Sequence, residues 1–169
     1  MNNKPYLALY LLLLFVLQLV ICDNIDLGPY FYICLIPFIV VSLPRHTREF
    51  VTIIECFAIG LALDLLSDGV AGLNAAAATL IAFIREPLYH NIINSNRQDR
   101  FSAISIKRAG LWKYILFLLV MNVIYLFTYI LLDAFSFKLT FLLIGKLIIS
   151  SAVSTIVSVL AGIASADRQ

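Results

Sequence analysis

The chain has 169 residues, of which 62% are hydrophobic and only 13% charged, and its net charge is +2. A soluble domain carries about a quarter charged residues to coat its exterior, so this composition calls for lipid as the solvent of most of the chain. So small a net charge gives no footing for a nucleic-acid partner, and the length fits one compact domain over residues 1–169.

A helix needs about 20 apolar residues to cross the hydrocarbon core. The first apolar run covers about 5–22, with Pro5 tolerable in a first turn. It is followed by Asp23-Asn24-Ile25-Asp26 rather than a small-residue cleavage site, so it reads as a retained helix. The second run, about 30–43, is short and carries Pro37, which predicts a kink or aromatic framing by Tyr30, Phe31 and Tyr32. A polar cluster, Pro44 to Glu49, separates it from the third run, about 50–66. Ser67-Asp68-Gly69 signals a turn, and the fourth run follows at about 70–84. A basic stretch, 85–110, is expected as a cytoplasmic loop lying on anionic lipid or meeting a cytoplasmic partner. The fifth run covers about 111–132, entered by Trp112, Lys113 and Tyr114 as interface anchors, and the sixth about 139–164. Continuous apolar runs exclude a β-barrel, whose strands alternate. The expected class is all-α, a bundle of about six transmembrane helices.

Basic residues orient the bundle. With successive loops assigned to alternate sides, Lys4, Arg45, Arg48, Arg85, Arg97, Arg100, Lys107, Arg108, Lys113 and Arg168 share one side. Those are ten of the twelve Lys and Arg. Asp23, Asp26, Asp64, Asp68 and Asp133 fall on the other, with Lys138. Cytoplasmic loops retain Lys and Arg, which places both termini inside.

Polar groups inside a bilayer are costly and ask for a reason. Glu55 in the third run and Lys146 in the sixth are intramembrane charges that either pair or snorkel to the interfaces. Asp64 and Asp68, four residues apart, share a helix face and so offer a cation site, an acid–base pair, or a turn in which Asp68 or Ser67 caps the next helix. No third ligand, histidine or nucleophile accompanies them, and no HExxH-type motif is present, so no enzyme, metal or cofactor is expected. Gly72 and Ala75 to Ala78 permit close helix approach, as packing or as a partner face. Ser150, Ser154 and Ser158 form one helical stripe suited to backbone carbonyls or a neighbouring helix. Cys22, Cys34 and Cys56 read as small apolar residues, and His46 and His90 as solvated loop residues.

The block Gly60-x3-Asp64-Leu65-x6-Gly72-x5-Ala78, with Leu43-Pro44-Arg45 at the preceding inner turn, resembles the MreD family of bacterial rod-shape membrane proteins. The family's block is a Gly-x3-Asp pair, a short outer turn with a glycine, and an alanine-rich fourth helix. This resemblance implies a fold similar to the S components of ECF vitamin transporters. It also implies a place in the inner membrane and a non-enzymatic scaffold role in cell-wall elongation. The partners so implied are the single-span protein MreC and, through it, the actin-like MreB filament, the synthase RodA and a class B penicillin-binding protein. Gly60, Asp64, Asp68, Gly69, Gly72 and Asn74 are then the structural and partner-binding residues. The rival reading is a solute-binding S-component subunit of an ECF transporter. Such subunits dock through an Ala-x3-Ala pattern on the first helix, and here Ala8 is followed by Leu12.

Overall fold

The computed structural model describes residues 4–24, 33–43, 49–67, 70–93, 110–133 and 141–166. These residues form six helices and no strand: α1 (Lys4–Asn24), α2 (Ile36–Ser42), α3 (Glu49–Leu66), α4 (Leu73–Ile93), α5 (Leu111–Asp133) and α6 (Phe141–Ala166). The all-α class expected from the apolar runs is therefore present. By length and composition, two helices among the described residues are long and apolar enough to cross a membrane: Leu111–Asp133, and Leu143–Ala164 within α6. A shorter apolar stretch, Leu9–Ile21, lies within α1.

Two expected boundaries are corrected. The second run gives only the seven-residue α2, about 10 Å long, which is too short to cross by itself. Pro37 sits in its first turn, where a missing N–H costs no helical hydrogen bond, so it starts this helix instead of kinking a longer one. The fourth helix, in turn, passes through Arg85 and Pro87 to Ile93. The expected loop 85–110 is thus helical in its first part, and its residues 94–109 lie outside the described residues.

Chain order sets the packing: α3 lies against α4, α4 against α5, and α5 against α6. The short α2 occupies the middle and touches α1, α4 and α5. Its residues Ile36 to Val41 are all buried. They join Ile81 of α4 and Phe117 and Met121 of α5 in one apolar core.

Side chains of other helices bond the backbone that flanks this short helix on either side. At the leading side, Gln18 of α1 receives the Leu35 N–H on Oε1 at 2.6 Å and donates through Nε2 to the Ile33 carbonyl at 3.3 Å. Ser154 of α6 receives the Cys34 N–H at 2.9 Å. At the trailing end, Arg85 Nη2 donates to the Leu43 carbonyl at 2.5 Å. That guanidinium is almost wholly enclosed, and a cation at a helix C-terminus also meets the negative end of the peptide dipoles.

Polarity is distributed inside-out. Gln18, Thr52, Asp64, Asn74, Arg85, Asn122 and four serines of the bundle are buried. Large apolar side chains point outward from all five longer helices, among them Leu9 and Leu12 of α1, Phe50 of α3, Phe83 of α4, Trp112 of α5 and Ile148 of α6. Apolar surface on this scale marks contact with something other than water.

Candidate functional site

Asp64 is the node of the region singled out by the sequence. It lies near the end of α3 and is buried at 3% exposure. Its Oδ2 receives the backbone N–H groups of Gly72 and Ala75, both at 3.0 Å. Its Oδ1 receives the backbone N–H of Asn74 at 3.1 Å and the side-chain amide of Asn74 at 2.9 Å. Both carboxylate oxygens are thus engaged by the first turn of α4, where N–H groups lack intrahelical acceptors and the dipole favours a negative charge.

Gly60, one turn earlier on α3, lets the second helix come this close. A Cβ at that position would stand 2.6 Å from Ala75 Cα and 2.7 Å from the Asn74 carbonyl oxygen. The Gly-x3-Asp spacing therefore has a physical meaning: the glycine removes the obstacle, and the acid holds what arrives. Asn74 continues the connection outward from the hairpin, because its Oδ1 accepts the Tyr125 hydroxyl of α5. A single buried chain, Tyr125 to Asn74 to Asp64, ties three helices together.

Several expectations change here. Gly72 is not a close-packing residue, since a Cβ there would meet nothing; its φ of +100° lies in the left-handed region, and that is why glycine stands at this turn. Ser67 does not cap α4. Its hydroxyl turns back to the Leu63 carbonyl at 2.7 Å, and the cap comes from Asp64. Asp68 and Gly69, and with them the expected Asp64–Asp68 pairing, lie outside the described residues. The alanine run divides: Ala75, Ala77 and Ala78 are buried, while Ala76 faces outward. Ala76 and Thr79 form the floor of an open apolar groove of about 560 Å³ between α3 and α4, walled by Phe57, Leu61, Leu80 and Phe83.

Glu55 on α3 and Lys146 on α6 are each partly enclosed, on helices whose main neighbours are α4 and α5 respectively. The serine stripe of α6 is buried; Ser154 serves the lead-in to α2, while Ser151 and Thr155 bond within their own helix to Ile148 and Ser151. Among the described residues, no three His, Cys, Asp or Glu side chains gather in a group that could hold a metal ion.

Gln18, Arg85 and Tyr125 also hold the bundle together, although sequence reasoning does not mark them as functional. For Gln18 a signal exists, a lone amide in a leucine-rich helix. Arg85 follows directly on the apolar run and so reads as the start of a loop, although its side chain turns into the bundle. Searches against protein-family models, curated proteins and solved structures find no match to this chain.

Proposed function

We propose that the chain is a non-enzymatic scaffold of the bacterial elongation machinery, of MreD type, passing six times through the inner membrane with both ends in the cytoplasm. In this reading it binds an MreC-like single-span partner, and through it links MreB filaments to RodA and a class B penicillin-binding protein. The observation that carries the proposal is the Gly60–Asp64 arrangement. Two of the residues on which the family resemblance rests, Gly60 and Asp64, seat α4 on α3, and the acid is spent on four hydrogen bonds. An acid so engaged serves architecture.

Membrane residence is supported by the inside-out polarity and by the treatment of α2. Irregular backbone at membrane depth is tolerated only where protein supplies its hydrogen bonds, and Gln18 and Ser154 supply them for residues 34 and 35. The basic residues on alternate loops support the orientation.

The test is co-purification of the full chain with the MreC-like protein of the same bacterium, in wild type and in Asp64→Leu, alongside cell shape. The reading expects rod growth and a stable complex in wild type, and loss of both in the variant. A wild-type chain that does not associate with MreC, or cells that stay rod-shaped without it, overturns it.

A further inference from the structure

Arg85 carries a full charge at 1% exposure, and the Leu43 carbonyl it holds answers that charge only with a partial one. A buried cation is costly unless an opposite charge stands near it. Among the acids whose side chains the structure describes, three stand elsewhere. Asp64 is engaged at the opposite end of the α3–α4 hairpin. Asp133 is exposed at the end of α5. Glu86 follows Arg85 directly, and successive helix positions do not face each other.

The fourth acid, Glu55, is brought toward Arg85 by the packing of the hairpin. Gly60 abuts the backbone of Ala75, and Ile53 and Phe83 line one groove, so α3 and α4 run antiparallel with position 60 beside 75 and position 55 beside 80. Arg85 lies five positions further, about 7.5 Å along the axis. Side chains tilt toward the N-terminus of their own helix. In this hairpin Glu55 therefore leans toward the level of Arg85, and Arg85 leans back toward that of Glu55. The faces agree as well: Glu55 lies one turn before Ile59, which packs on the core, and Arg85 one turn after Ile81, which is part of it. Oε2 of Glu55 and Nε of Arg85 are both shut off from solvent. Between them, the fully buried Cys56 lies within electrostatic reach of both charges.

We infer that Glu55 is the counter-charge of Arg85, the two coupled across α3 and α4 where the trailing end of α2 meets them. The hairpin is then fastened at both ends, by Asp64 at the turn and by this pair at the other end. Lys146, the partner that the sequence offers Glu55, stands on α6, whose packing neighbour is α5. Attraction between opposite charges reaches well beyond hydrogen-bond distance in a low-dielectric interior, so the coupling needs no direct contact.

The test melts the full-length protein as single and double variants and follows hydrogen exchange of the Leu43 amide, which bonds the Ile39 carbonyl at 3.1 Å. Glu55→Gln keeps the shape and removes the charge. It is expected to lower Tm by about 2–4 °C and, although it lies on α3, to speed exchange at Leu43 at least about threefold by loosening Arg85. In an Arg85→Met background the Glu55→Gln loss should vanish or reverse, whereas in a Lys146→Met background it should persist in full. An equal loss with and without Arg85, a loss that vanishes with Lys146, or unchanged Leu43 exchange in Glu55→Gln would each overturn the assignment. If Arg85→Met is too unstable to melt, the Leu43 exchange of Glu55→Gln alone decides.

Discussion

Gly60 of α3 and Ala75 of α4 approach so closely that a methyl group on the glycine would lie 2.6 Å from the alanine Cα. Neither backbone can yield without moving its helix. Gly60→Ala is therefore expected to destabilise the bundle by about 1–3 kcal/mol, the usual cost of overpacking. Gly72→Ala acts by another route, through its φ of +100°, and is expected to cost about 1 kcal/mol. Thermal melting of purified variants distinguishes the sites: asparagine, which tolerates the left-handed region, worsens position 60 steeply and is borne far better at position 72, where nothing stands within 4 Å of a Cβ.

Asp64→Leu removes the acceptor of four hydrogen bonds and leaves three backbone N–H groups at the head of α4 without their partner. At about 1–3 kcal/mol per unsatisfied buried group, the loss reaches about 3 kcal/mol or more. Asp64→Asn keeps the shape but turns one acceptor into a donor, so an intermediate loss is expected. Amide hydrogen exchange should show Gly72, Asn74 and Ala75 losing protection first; unchanged protection there would contradict the capping role.

Helix positions and the α3–α4 hairpin are legible in the sequence, whereas the polar contacts between distant segments are not. Apolar runs mark four of the six helices to within a few residues, while the second run is longer than α2 and the fourth stops nine residues short of the end of α4. The spacing of Gly60 and Asp64 marks the hairpin as well. What sequence does not reveal is which polar side chains turn inward. Arg85 follows the apolar run directly, and basic residues in that position normally lie in cytoplasmic loops. Only the proximity of the Leu43 carbonyl, 42 positions away, makes it a cap. Tyr125 and Asn74, 51 positions apart, are likewise joined only by tertiary packing.

The two clamps on α2 can be separated. Gln18→Leu removes the acceptor of the Leu35 N–H, and Arg85→Met removes the donor to the Leu43 carbonyl. Each is expected to cost about 1–3 kcal/mol. Hydrogen exchange should place the loss at the leading end of α2 for Gln18→Leu and at the trailing end for Arg85→Met. Uniform loss over the whole chain in both variants would count against local clamping.

Tyr125→Phe deletes one hydroxyl and keeps the ring in the apolar core. A loss of about 1 kcal/mol is expected. Because Asn74 links Tyr125 to Asp64, the loss should shrink when Asp64 is already replaced; strictly additive losses would show that the three side chains do not act as one chain.

A scaffold of this kind requires a polypeptide that passes through lipid an even number of times and keeps its basic bends on one side. Impermeant-reagent labelling of single tags, one at each terminus of the full chain in intact cells, tests this directly. Both tags should stay unlabelled from outside and become labelled once the inner membrane is opened. Labelling of one tag in intact cells would place the termini on opposite faces and contradict the topology on which the scaffold role is built.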